Sequence, residues 1–184
     1  GKAMRFGKIH SHHNLIFHSD IDREINESDT TTEILMYDIC QRFCDELSHD
    51  SRDTKGIRDF LGFEKVLPGF LIDDFKFNPC GYSLNAIKED KYYTIHVTPQ
   101  ASHSYISFET NVDLRADQHK VLNHVLEVMR PGAFDFISFN GMTDLAPKGY
   151  QKRLNYRDSL SCGYNFVFEY YYVPETQAQA PFYF

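Results

Sequence analysis

Three runs between residues 77 and 111 constrain this chain most: Phe77-Asn78-Pro79-Cys80-Gly81-Tyr82-Ser83, Tyr93-Thr94-Ile95-His96-Val97-Thr98-Pro99 and Ser104-Tyr105-Ile106-Ser107-Phe108-Glu109-Thr110-Asn111. Pro79 and Gly81 bracket a cysteine in a sharp turn, since proline fixes φ and glycine adopts conformations closed to other residues. In the second run, strand alternation sends Thr94, His96 and Thr98 to one face and Ile95 and Val97 to the other. The histidine and the serine after the turn can therefore overlook one pocket. On chemistry alone, a strand histidine beside tyrosine and threonine is more often a hydrogen-bonded structural residue.

A chain of 184 residues with 42% hydrophobic content supports one domain with a real core. Its net charge of -7 argues against nucleic acid or anionic lipid as the main partner. No apolar run approaches the roughly 18 residues of a membrane span. The start, Gly1-Lys2-Ala3-Met4-Arg5-Phe6, has no apolar signal region behind its basic residues, so the expectation is a soluble, cytoplasmic protein. Cys40, Cys44, Cys80 and Cys162 form no CxxC pair and are sparse for a disulfide scaffold, which fits reduced thiols. The 12 Tyr and 16 Phe point to extensive sheet.

Residues 4–18 show short apolar alternations around a polar centre, read as two short strands or one hairpin. His10, His12, His13 and His18 invite a metal, but no acidic or cysteine partner lies at a recognised spacing, so they are read as surface histidines and no metal site is expected. Thr30 and Glu33 match the capping box that satisfies free amides at a helix start. This predicts a helix from about Thr31, with Leu35, Met36, Ile39, Cys40, Phe43 and Leu47 as its apolar stripe.

A second short helix is expected at Thr54–Leu61, before Gly62 and the Pro68-Gly69 turn. Strands then fill Phe70–Asn111. A helix over Gln118–Arg130 places Val121, Leu122, Val125, Leu126 and Met129 on one face and stops at Pro131-Gly132. Strands follow at Phe134–Phe139, Arg153–Arg157 and Tyr164–Val173, then an uncharged stretch from Thr176 to Ala180. The class is α+β, an antiparallel-rich sheet with helices on one face. The other face must meet something.

The ordered motifs FNPCGYS, TIHVTP and SYISFETN resemble the eukaryotic S-adenosylmethionine decarboxylases, the pyruvoyl enzymes of polyamine synthesis. The similarity begins near Gly7-Lys8 and runs through Arg130-Pro131-Gly132 and Tyr164-Asn165-Phe166-Val167-Phe168. It implies a four-layer αββα sandwich of two similar halves with the active site between the sheets, and this chain looks like the C-terminal half of the α chain. Residues 1–26 are then strands continuing from a missing preceding half, 27–173 the second α+β repeat and 174–184 a C-terminal tail. In the family the missing part carries the β chain, the Glu-Ser bond whose self-cleavage makes the pyruvoyl group, and the catalytic cysteine. Glu27-Ser28 is the only Glu-Ser pair here, and it lies downstream of where the family's cleavage site would fall.

The resemblance therefore implies a covalent pyruvoyl cofactor on the missing segment and none within this chain. Its carbonyl forms a Schiff base with the substrate's amine and takes up the electron pair released with carbon dioxide. The product is decarboxylated S-adenosylmethionine, the aminopropyl donor for spermidine and spermine. The 184 residues alone are expected to be inactive.

Residue by residue, Phe77 matches the aromatic that stacks on the substrate's adenine. Ser83 and His96 match the pair that assists self-processing, with histidine as the proton-transfer group. Asp29, Thr31, Glu33 and Glu109 match an acidic cluster that binds putrescine, an activator, in some members; read without the family, Asp29 and Glu33 are charges favoured by a helix dipole. Gln100 departs from the pattern, which has a glutamate contacting the ribose hydroxyls there. The implied partners are S-adenosylmethionine, putrescine, the missing N-terminal half with its β chain, and a second copy in a homodimer. The rival readings are a noncatalytic regulatory subunit or inactive paralogue of the same fold, and a small-ligand binding domain with no polyamine link.

Overall fold

The computed structural model describes residues 1–10, 13–18, 28–47, 52–78, 80–99, 104–115, 119–141 and 145–174. Period-two alternation dominates it. Strands β1 (Lys2–Phe6) and β2 (Asn14–His18) pair antiparallel as a hairpin, with Lys2 opposite His18 and Phe6 opposite Asn14. A larger antiparallel sheet has the order β4-β5-β6-β7-β3-β8-β10-β9. Its members are β3 (Thr31–Ile39), β4 (Leu71–Lys76), β5 (Tyr82–Lys88), β6 (Lys91–Thr98), β7 (Tyr105–Thr110), β8 (Pro131–Phe139), β9 (Gln151–Ser159) and β10 (Asn165–Tyr172). Helices α1 (Gln41–Glu46), α2 (Thr54–Leu61) and α3 (Lys120–Met129) and a 3₁₀ turn at Phe63–Lys65 complete the described elements. None of the described helices is long and apolar enough to cross a membrane.

The helix expected from Thr31 is instead the central strand β3 followed by the short α1. Thr32, Ile34 and Met36 are buried while Thr31, Glu33, Leu35 and Tyr37 alternate with them, the two-fold pattern of a strand. β3 pairs with β7 on one side and β8 on the other, so ladder hydrogen bonds on both edges override a local helix-start signal. The Thr30 hydroxyl donates to the Asn111 carbonyl at 3.3 Å rather than serving the start of the expected helix. Cys40 is the residue capping α1, and Cys44 lies inside it.

The other two helices fall where the periodicity puts them. Asp53 caps α2 by accepting from the Gly56 amide at 2.7 Å, and Gly62 ends it with a left-handed φ of 64°. The five apolar positions expected on α3 are all buried. Arg130 closes α3 in the left-handed region, and Pro131 opens β8. The expected stretch at Thr176–Ala180 lies outside the described residues, as do His12, Glu27 and Pro79.

Phe43, Leu47, Ile57, Leu61, Val125 and Met129 of the helical side join Ile34, Met36, Leu84, Tyr93, Ile95, Phe108 and Phe136 of one sheet face in a single core. Phe63 stacks on Tyr93 and Phe108 with centroids 5.7 and 5.6 Å apart, and His124 meets its edge while bonding the Leu61 carbonyl at 2.8 Å. Each such fully buried aromatic contributes roughly 1.5–3 kcal/mol of transfer free energy. On the same side Glu169 is fully buried, paired with Lys152 at 2.6 Å and accepting from the Tyr171 hydroxyl at 2.5 Å, so its charge is compensated.

The opposite face carries polar and acidic residues. The hairpin roofs one end of it: Phe6 lies against Tyr156 and Phe168 with centroids 4.7 and 5.3 Å apart, and the Asn14 amide donates to Asp135 at 3.1 Å. At the other end, Leu71, Phe75 and Ile87 are each more than half exposed.

Candidate functional site

The ladder registers decide which side chains meet on the open face. Ser83 on β5 stands opposite His96 on β6, and His96 stands opposite Ser107 on β7. One step along, Glu109 on β7 lies between Thr94 on β6 and Glu33 on β3. These two rows form the candidate site.

In the first row, the Ser83 hydroxyl is hydrogen-bonded to His96 Nδ1 at 2.9 Å, so the serine serves the histidine and not its own backbone. The imidazole is exposed and Ser83 half-buried, so the pair is open to a reacting group. Phe75 faces Ser83 from the edge strand β4. Phe77 follows in the turn, meeting Phe75 edge-on at 4.9 Å, and is 45% exposed, so it stands outside the core. The Phe77 amide donates to the Gly81 carbonyl at 2.9 Å. At φ 133° a Cβ on Gly81 would stand 3.4 Å from that of Phe77, so glycine is what lets this turn close. The Cys80 thiol donates to the Pro99 carbonyl at 3.3 Å and ties the turn to the end of β6. Gln100, one residue further, lies outside the described residues.

In the second row the acidic residues converge. Glu33 is half-buried, and its carboxyl is raised above the usual range first by burial and then by the charge of Glu109. Among the described residues no lysine or arginine makes an ion pair with either carboxylate. The Tyr92 hydroxyl donates to Glu109 Oε1. Burial and that carboxylate push the tyrosine up to about 12, with the Thr31 hydroxyl acting the other way and Asp29 adding to the rise. Asp29 accepts from the Tyr164 hydroxyl at 2.9 Å. Asp29, Thr31 and Glu109 thus gather around Tyr92, with Glu33 opposite Glu109 across the ladder, and because β3 is a strand, the helix-dipole reading of Asp29 and Glu33 has no helix to rest on. Two carboxylates facing each other across a ladder repel unless a cation joins them.

Sequence reasoning passed over two residues here. Tyr92 shares the face of Thr94 and His96 by simple alternation, a signal present in the sequence. Asp135 is fully buried on the same face, accepting from Tyr37 at 2.8 Å as well as from Asn14, and burial, then the Asp135 charge, holds the Tyr37 phenol far above its ordinary value. Local pattern could not have found that contact, which joins three strands distant in sequence.

A family model described as adenosylmethionine decarboxylase matches residues 1–172. The chain is 38% identical over 130 residues to an S-adenosylmethionine decarboxylase proenzyme of Drosophila melanogaster, covering 70% of this chain and 37% of that protein. With the proenzyme of Dictyostelium discoideum it shares 35% over 143 residues, 73% of this chain and 36% of that one, and with that of Leishmania donovani 34% over 160 residues, 83% and 42%. It therefore spans about two fifths of the length of these relatives. A crystal structure titled as the Trypanosoma brucei AdoMetDC-delta26 monomer superposes with a TM-score of 0.69 at 24% identity, over 94% of this chain and 72% of that one, a likeness of fold. With the family model matched over residues 1–172, the chain belongs to the adenosylmethionine decarboxylase family.

Proposed function

We propose that this chain is one sheet-and-helix layer of a pyruvoyl-dependent S-adenosylmethionine decarboxylase, and that the face bearing Ser83, His96 and Phe77 is its share of the active site. The observation that carries the reading is the Ser83–His96 hydrogen bond on a sheet face left open beside Phe77. With Nδ1 engaged by Ser83, Nε2 is the ring nitrogen that gives or takes a proton. The Ser83 hydroxyl sets the orientation of the ring. Phe77 offers an accessible π face to a planar base and to a sulfonium, both of which favour one.

A pyruvoyl group carried by a preceding segment fits this arrangement, since the proton-transfer pair is uncovered and has no electron sink of its own. When bound, that group supplies the acceptor for the electron pair released as carbon dioxide leaves. The carboxylates around Tyr92 are read as the site of a diamine activator such as putrescine, whose two ammonium groups would offset charges that burial and mutual repulsion make costly. The division at residues 26 and 173, with a first half continuing into β1 and β2, belongs to the same proposal.

The test uses the complete precursor. Carbon dioxide release from S-adenosylmethionine, with a mass-detected pyruvoyl end, is the expected result. Gln100, where the family pattern has a glutamate, favours a second reading as a regulatory or inactive relative. Diamine binding without carbon dioxide release by a fully processed protein would establish that reading and sink the first.

A further inference from the structure

The carboxylates of the cluster are unequally supplied with donors. Asp29 has the Tyr164 hydroxyl and Glu109 the Tyr92 hydroxyl, while among the described residues no hydroxyl is hydrogen-bonded to the Glu33 carboxyl. Tyr92 is also fixed at its backbone. Its amide donates to Asn111 Oδ1 at 2.7 Å and its carbonyl accepts from Thr110 Oγ1 at 2.6 Å. Both partners directly follow Glu109, so the phenol is locked to the strand segment whose carboxylate it holds.

We propose that Tyr92 is a positioning residue for Glu109: its hydroxyl fixes one oxygen of that carboxylate, leaving the other to join Glu33 around one ammonium group of a bound diamine. The proposal rests on reading the cluster as a diamine site. A second consequence concerns protons. Burial holds the Glu33 carboxyl above the usual range, so a proton taken up at the cluster resides on Glu33. Burial and the Glu109 charge act on Glu33 in the same direction.

The titratable groups facing the pair are Asp29 ahead of β3, Tyr37 on β3, Tyr92 on β6, Tyr105 on β7 and Asp135 on β8. The phenols of this set are all raised, so near neutral pH they stay protonated, and Asp135 is tied to Tyr37 and Asn14. Glu33 is therefore the group whose proton count a cation changes. An entering ammonium displaces that proton, so diamine affinity rises with pH as Glu33 ionises.

The experiment compares Tyr92→Phe with the parent in the complete protein, using 1,4-diaminobutane and calorimetry from about pH 5.5 to about pH 8.5. The ring stays and the hydroxyl goes, and the unliganded melting temperature controls for folding. The expected result is a loss of affinity of about tenfold near neutral pH. In a Glu109→Gln background the same change should have no further effect, because the two residues act as a unit.

An affinity unchanged at every pH, or a loss that persists in the Glu109→Gln background, overturns the role of Tyr92 while leaving the diamine site standing. A parent protein that fails to bind the diamine overturns both.

Discussion

Glu33 and Glu109 face each other across the β3–β7 ladder, and burial together with the Glu109 charge holds the Glu33 carboxyl above the usual carboxylate range. A carboxyl raised by folding binds its proton more tightly in the native state than in the unfolded one. Its favourable contribution is thus full in acid and is lost as pH rises through the raised value. Glu33→Gln should accordingly raise stability near neutral pH by about 0.5 kcal/mol, the scale of a like-charged cross-strand pair, or a melting temperature by ~1–2 °C. The gain should vanish near about pH 4, where the wild-type group is already protonated. Thermal melts at the two pH values check this, and an equal gain at both would mean that charge is not its source.

On the proposed role of His96, His96→Ala in the complete precursor should stall self-cleavage, because the imidazole held by Ser83 is gone. A denaturing gel reads the outcome as one band in place of two. Normal yield of both chains would remove His96 from processing.

Asp135 accepts from Tyr37 and Asn14 while fully buried. Asp135→Ala leaves both donors without their acceptor and should cost about 2–4 kcal/mol, whereas Asp135→Asn keeps an acceptor oxygen and should cost less. Urea midpoints of the two variants separate these cases.

Phe77 is too exposed to matter much to stability, and truncating it should change the unfolding free energy by less than about 1 kcal/mol. Its loss should fall on substrate binding, with Phe77→Ala raising KM for S-adenosylmethionine several-fold. A variant that melts early and binds normally would reverse that assignment.

Gln100→Glu tests the departure from the family motif read at that position. A carboxylate accepting two ribose hydroxyls gains roughly 1 kcal/mol over an amide, about fivefold in kcat/KM. No gain, with binding measurable, would mean that position 100 does not contact the ribose.

Much of this was legible in the chain itself, for particular reasons. Helix α3 announces itself because Val121, Leu122, Val125, Leu126 and Met129 fit only one period, and α2 because Asp53 and Gly62 punctuate both ends. β3 misled because Leu35, Met36, Ile39 and Phe43 fit a helical stripe as well as Thr32, Ile34 and Met36 fit alternation. Only pairing with β7 and β8, contributed by segments far along the chain, breaks that tie. Ser83 and His96 could be placed on one face from alternation and a turn. The opposition of Glu33 to Glu109 could not, since it depends on the register between strands that are not neighbours in sequence.

The unroofed end of the sheet makes the layer an amphiphile. Leu71, Phe75 and Ile87 offer oil to any second surface, while Glu33 and Glu109 a few strands away hold two such layers apart by charge. Because Glu33 gives up its charge earlier on acidification than an ordinary carboxylate, that protection erodes as pH falls. Separated from a covering layer, these 184 residues should stack face to face more readily in acid than near neutral pH.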